Sequence, residues 1–342
     1  MIDYVKIELK NIDLHRLLSL SELKFYSQVS QQTGEIKEST KQIATYHYCN
    51  ITLYESGYLE FTGSIHKLWN SLNGVKAPNY KSKPDKGFNG NNFSYLEIIA
   101  VKNHLCRLFD CRPNQMIFLN IEFGINTTPK FNPRKFLKGL LYHNGVSFEY
   151  KYKGNFAQVV HERYIVKVYN KSGQYGLKNH TLRFEIKIRK TIELGKTSII
   201  SFADINRKTL FRGFELLRQR FDELMYFDYT IRKEELSKRE ILLITNYSNP
   251  RYWMDELSSN HRDRQKKKLI QIINEKSENL KIEIDHDLLN KCVIINRFPC
   301  RVKCVTINSS SIELNITQRA MFQNYENSNN FILDNTRLNL TI

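Results

Sequence analysis

Apolar and polar residues alternate most regularly over residues 163–190, and the rest of the chain is organised around that stretch. In its second half Leu182, Phe184, Ile186 and Ile188 fall on one face, with Arg183, Glu185, Lys187 and Arg189 on the other. In its first half Tyr164, Val166 and Val168 oppose Lys167, Tyr169 and Lys171. A period of two predicts strands. The connection NKSGQYG holds Gly173 and Gly176 and exceeds a two-residue hairpin, so a flexible tip is expected. Side by side, the two strands turn an apolar face inward. Their other face carries a tyrosine, a glutamate and several cations.

The same pattern places a first strand at residues 2–9 and a polar, irregular stretch at 19–40. A strand pair follows at 43–53 and 57–66, turning at Glu55-Ser56-Gly57, with His66 on the polar parity of its second member. Residues 73–92, rich in Lys, Pro, Gly and Asn, predict a mobile loop. An amphipathic helix is expected at 93–109, burying Leu96, Ile99, Ala100, Leu105 and Leu108. Pro113 and Asn114 break it before a strand at 116–125, where Ile117, Leu119, Ile121 and Phe123 point one way and Asn120 and Glu122 the other. Asn132-Pro133 opens a short helix to residue 142, since Asn caps and Pro suits the first helical position. A strand at 146–152 leads back to the central stretch.

Beyond residue 190 the period changes. Helices are expected at 202–226, with Ile205, Leu210, Phe214, Leu217, Phe221 and Leu224 at helical spacing, and at 233–247 and 249–276. Short strand-like pieces stand at 293–295, 302–307 and 311–316, before an Asn-rich end. The pattern divides the chain near residues 190–201, into a first domain over 1–200 and a mainly helical region over 201–342. The expected fold is α+β, a central and mainly antiparallel sheet with helices on one face.

Composition adds one strong constraint. The 342 residues carry a net charge of +17, which favours a polyanionic partner, most often nucleic acid. No apolar run approaches the roughly 20 residues of a membrane span. The charged opening MIDYVKIELK is no signal peptide, so a cytoplasmic protein with reduced thiols is expected. Cys292, Cys300 and Cys304 lack zinc spacing and, like Cys106 and Cys111, suggest only thiols. There is no glycine loop followed by Lys-Ser/Thr, so no ATP-driven motor is encoded.

Four segments, in order, carry a resemblance. YIVKVYNK at 164–171 and LRFE at 182–185 resemble the signature "hydrophobic run, Tyr, Asp/Asn, Lys … Arg-hydrophobic-Glu". LNIEFGIN at 119–126 is similar to a strand bearing one acidic residue, and LEFTGSIHKLWN at 59–70 to a Gly-Ser turn, here with His66. This is the pattern of rolling-circle replication initiators, of the plasmid replication initiation factor and filamentous-phage type. It covers about residues 1–228. The helices after residue 201 resemble relatives in Bacteroidetes-type genomes. No His-x-His pair occurs among the nine histidines, which points to the subgroup that uses acidic residues instead.

The resemblance implies a replication-initiator nuclease core. Its reaction is cleavage of one DNA strand by a tyrosine hydroxyl, leaving a 5′-phosphotyrosine and a free 3′-OH. It implies Mg²⁺ or Mn²⁺ held by Glu122, Glu185 and His66, because hard cations prefer carboxylate oxygens. Tyr169 occupies the nucleophile's motif position, with Tyr175 as its rival. Lys171 would contact the scissile phosphate or act on the tyrosine through its charge. Lys167, Arg183 and Lys187, with Lys266, Lys267 and Lys268 of the tract HRDRQKKK, are candidate DNA contacts. His161 reads as structural. The implied partners are single-stranded or hairpin origin DNA, a host helicase and a single-strand-binding protein. Two other readings stay open: a non-catalytic DNA-binding protein on the same fold, and a relaxase- or transposase-like strand transferase.

Overall fold

The protein is described by a computed structural model, which covers residues 2–27, 41–82 and 85–296. The expected strands at 302–307 and 311–316, and Cys300 and Cys304, lie outside the described residues. The residues up to Asn296 form one compact unit.

The chain opens with β1 (Ile2–Leu9), α1 (Leu14–Ser19), β2 (Tyr26–Ser27), β3 (Lys41–Tyr46), β4 (Cys49–Tyr54) and β5 (Leu59–Ser64). Next come α2 (Ile65–Leu72), α3 (Tyr95–Phe109), β6 (Met116–Thr127), α4 (Pro133–Lys138), β7 (Leu140–His143) and β8 (Val146–Ser147). The central hairpin region holds β9 (Glu149–Lys151), β10 (Phe156–Val160), β11 (Tyr164–Asn170), α5 (Lys171–Tyr175) and β12 (Leu182–Ile188). It is followed by α6 (Thr191–Leu194), α7 (Arg207–Asp222), β13 (Leu224–Tyr226), α8 (Lys238–Tyr247), α9 (Ser259–Lys276) and α10 (Leu280–Asn296).

Among the described residues ten strands form one sheet in the order β2-β3-β4-β5-β1-β6-β12-β11-β10-β9, every pairing antiparallel. A second sheet, β13-β7-β8, is smaller. This is the α+β architecture that the alternating pattern predicts. The apolar face of β12 and β6 receives α7: the ring of Phe184 meets Phe221 edge-on at 5.2 Å. Gly213 lets the helix approach, because a Cβ there would stand 2.6 Å from the Phe123 ring. Among the described residues after 201, α7 is thus packed on the sheet. Tyr142, Met225, Tyr247, Trp253, Leu269 and Ile272 join a separate apolar cluster beside the small sheet.

Several local expectations give way to the structure. In β6 the register against β1 slips between Lys6↔Asn120 and Ile7↔Phe118. A bulge of this kind reverses side-chain parity. Met116 and Phe118 are therefore buried along with Ile121 and Phe123, while Ile117 and Leu119 stay half exposed. Leu96 lies 71% exposed, because α3 turns Ile98, Val101, Leu105 and Leu108 inward instead. The segment at 202–226 is a one-turn 3-10 helix, α7 and β13, and that at 132–142 is α4 followed by β7. Residues 293–295 belong to α10, not to a strand; Leu280, Ile284, Leu288 and Cys292 recur every four residues and are buried.

The flexible tip and the loop expected from the sequence both contribute residues to the site. The connection after β11 folds as α5, capped by Asn170, whose side chain accepts from Gly173 N at 2.9 Å. It ends at Gly176 with φ +67°, the left-handed conformation that favours glycine. In the loop before α3, Phe88 and Asn89 are buried, Phe88 packing edge-on to Tyr175 at 5.0 Å.

Candidate active site

Register alone gathers the polar face. Lys167 pairs with Glu185 and Tyr169 with Arg183 across β11 and β12. Glu185 pairs with Gly124, Lys187 with Glu122 and Arg183 with Asn126 across β12 and β6. Opposed residues on neighbouring strands share a face. Gly124 makes room for the charges, since a Cβ there would meet Glu185 Cγ at 2.6 Å and Arg183 Nη2 at 2.7 Å. A cleft of about 430 Å³ opens over this patch, lined among others by Asp3, Glu122, Lys167, Tyr169, Lys171 and Glu185.

The charges form one continuous chain. Asp3 Oδ2 accepts from Arg183 Nη2 at 3.0 Å, and Arg183 Nε donates to Glu185 Oε1. Lys167 Nζ lies 4.0 Å from Glu185 Oε2 and 2.7 Å from Glu122 Oε1, and Lys187 Nζ reaches the same Glu122 oxygen at 3.4 Å. Burial raises the Asp3 pKa, but Arg183, Lys171 and a hydrogen bond from Ser64 outweigh it and hold the carboxyl well below its usual range. Burial and the charge of Glu185 push Glu122 up. Burial also works against Lys167, yet Glu185 and Glu122 raise it above an ordinary lysine. An ion pair in such surroundings holds only where further hydrogen bonds complete it. Here Asn89 Nδ2 donates to Asp3 Oδ2 at 2.6 Å and Arg183 Nη1 to Asn126 Oδ1 at 2.9 Å.

Both candidate tyrosines and Lys171 meet beside this chain. Lys171 Nζ stands 4.9 Å from the ring centroid of Tyr169 and 4.9 Å from that of Tyr175. It donates to Asn89 Oδ1 at 2.5 Å, and the Tyr175 hydroxyl donates to the same oxygen at 2.6 Å. Tyr175 is buried, whereas Tyr169 is half-buried on the cleft wall, and no described residue hydrogen-bonds its hydroxyl. Burial, then the Glu185 charge, raises the Tyr169 pKa. Burial raises Tyr175 too. Lys171 is only 1% exposed, and burial next to Arg183 lowers its pKa to about 7.

The other predicted residues are placed differently. His66 sits in the first turn of α2 rather than on a strand, because Ser64 ends β5 and caps that helix through Lys67 N at 3.1 Å. Its Nε2 pairs with Asn91 Oδ1 at 2.8 Å and its ring stacks on Phe93 at 4.6 Å. It lines a small hollow next to the cleft. Burial lowers its pKa to about 3, so it is neutral at ordinary pH. Arg183 is buried and Lys167 is paired, so their charges are spent on protein carboxylates; Lys187 adds a contact over the Tyr4 ring at 4.2 Å. Lys266, Lys267 and Lys268 lie on α9, outside the cleft wall, Lys267 exposed and the other two half-buried. His161 pairs with His143 Nδ1 at 2.8 Å, a contact within the fold.

The metal set implied by the resemblance does not fit this arrangement. Among the described residues no three His, Cys, Asp or Glu side chains are gathered closely enough to hold an ion together. His66 is turned to Asn91, and the space between Glu122 and Glu185 is taken by the Lys167 ammonium. A hard cation would have to displace that lysine to gain carboxylate oxygens.

Asp3 and Asn89 are site residues that the sequence pattern did not single out. Asp3 carries a visible signal: it has the parity of Val5, Ile7 and Leu9, so a carboxylate interrupts an apolar row. The register of β1 against β6 shifts between Ile2 and Val5, and both Asp3 and Tyr4 line the cleft. Asn89 has no such signal, since it comes from an irregular segment.

No family model matches the sequence, and no curated protein matches it. Among solved structures, the chain is similar to the rolling circle replication initiator protein from Geobacillus stearothermophilus. The two share 9% identity at a TM-score of 0.36, over 72% of this chain and 96% of that one.

Proposed function

We propose that the protein is a rolling-circle replication initiator that cuts and rejoins one DNA strand through Tyr169. One observation carries this reading: Tyr169, Lys171, Glu185 and Glu122, picked out by separate sequence motifs, line one cleft. In the proposed step Tyr169 Oη attacks phosphorus, a phosphotyrosine bond forms at the 5′ end, and the bond to the 3′ oxygen breaks. The 3′ oxygen leaves as an alkoxide and takes its proton from solvent water. Lys171 accepts the tyrosine proton, because a buried amine with its pKa at about 7 is half neutral near pH 7. That transfer also places a new positive charge beside the phosphate as negative charge builds on it. Glu122, Glu185 and Asp3 keep Arg183 and Lys167 in place, and α9 supplies phosphate contacts outside the cleft through Lys266, Lys267 and Lys268.

The test is incubation with single-stranded origin DNA labelled at both ends. The reading requires a free 3′-OH on one fragment and protein linked to the 5′ end of the other. Release of both fragments free of protein would point to ordinary hydrolysis, and tight binding without cleavage to a regulatory DNA-binding protein.

A further inference from the structure

The rim of the cleft carries two aromatic rings, Tyr152 and Phe156, that the cutting step does not use. Tyr152 stands at the tip between β9 and β10 and is 76% exposed. Its φ is +53°, and Lys153 and Gly154 follow at +55° and +77°. A bulky residue rarely adopts that conformation, so the turn holds a tyrosine outward at some cost. The Tyr152 ring meets Phe156 edge-on at 6.0 Å, and Phe156 meets Tyr169 at 5.5 Å, tilted by 39°. All three rings line the same cleft, with Lys151 and Gln158 beside them. The row therefore runs from the proposed nucleophile to solvent in two steps.

We propose that Tyr152 and Phe156 form a base-stacking subsite, which seats a nucleobase next to the scissile phosphate and makes the cleft select single-stranded DNA. Charge complementarity names the occupant. The chain carries +17, and basic side chains interleaved with aromatic faces suit a strand whose bases are free to stack. In a duplex those faces are already covered. The inference rests on the nuclease reading for the identity of the phosphate, though its readout is binding alone.

The experiment uses the whole protein and a short oligodeoxythymidine with one central 2-aminopurine, whose fluorescence falls when it stacks. Wild type is expected to quench it. Tyr152→Ala should lose most of the quench and bind about tenfold more weakly, within what one stacked base contributes. Tyr152→Trp should retain both, and affinity for a duplex of the same length should be unchanged in all three. Phe156→Ala serves as the second variant, with a weaker quench expected. Unchanged quenching and affinity in Tyr152→Ala would overturn the subsite, as would an equal loss on the duplex. Wild type that fails to quench overturns it as well. If the subsite stands while no covalent product forms on origin DNA, the nuclease reading fails alone.

Discussion

Lys167 reaches over β12 to place its Nζ 2.7 Å from Glu122 Oε1, two strands away, while facing Glu185 directly in the register. The ammonium thus sits between the two carboxylates that the sequence motifs nominate for a metal. Lys167→Met leaves Glu122 with Lys187 alone and Glu185 with Arg183 alone, and should destabilise the fold by up to about 3 kcal/mol, the low end for one lost partner of a buried pair. It should also free the oxygens. Titration of Mn²⁺ followed by electron paramagnetic resonance should show the variant binding at least tenfold more tightly than wild type. Equal binding by the two proteins would mean the ammonium does not hold that place.

Lys171 gives the reaction a pH dependence whose sign separates two roles. Its pKa is lowered to about 7, so the folded protein carries it neutral above that pH while an unfolded chain would still bind the proton. Its contribution to stability therefore grows as pH rises from about 7 towards its unfolded value. As proton acceptor, it makes kcat/KM for strand cutting rise through about pH 7, the free-enzyme ionisation that this parameter reports. A lysine acting by charge on the phosphate would give the opposite slope. Lys171→Met should lower the rate by about a hundredfold, the lower bound for general-base help, and flatten the profile.

Gly124 marks how closely the charges are packed. A methyl group there would press on Glu185 Cγ at 2.6 Å and Arg183 Nη2 at 2.7 Å. Gly124→Ala should cost about 1–3 kcal/mol of stability in thermal unfolding. It should reduce cutting more than DNA binding, because it displaces the Arg183–Glu185 pair and leaves Lys266, Lys267 and Lys268 on α9 untouched.

The strand faces were legible in the sequence because β11 and β12 keep a strict period of two, and their pairing follows from it. The same reasoning failed in β6, where a bulge invisible to periodicity reverses parity at Leu119. His66 was misplaced because Ser64 can end a strand and cap a helix at once, and only the packing of α2 on β1 decides between them. Asn89 was out of reach. Its position depends on burial of Phe88 against Tyr175, a contact between segments far apart in the chain.

Binding outside the cleft is tested by salt. With single-stranded DNA, log affinity should fall linearly with log salt, by about 0.7 for each phosphate contact. Replacing Lys266, Lys267 and Lys268 by Glu should flatten that slope while leaving the 2-aminopurine quench intact at low salt. An unchanged slope would remove α9 from the interface.

The most direct measurement is the identity of the residue that carries the DNA. After reaction with origin DNA and nuclease digestion, mass spectrometry of the covalent product should find the nucleotide on Tyr169. Tyr169→Phe should bind the DNA normally and form no adduct, while Tyr175→Phe should still form it. A nucleotide found on Tyr175, or an adduct retained by Tyr169→Phe, would contradict the assignment of Tyr169 as the attacking group.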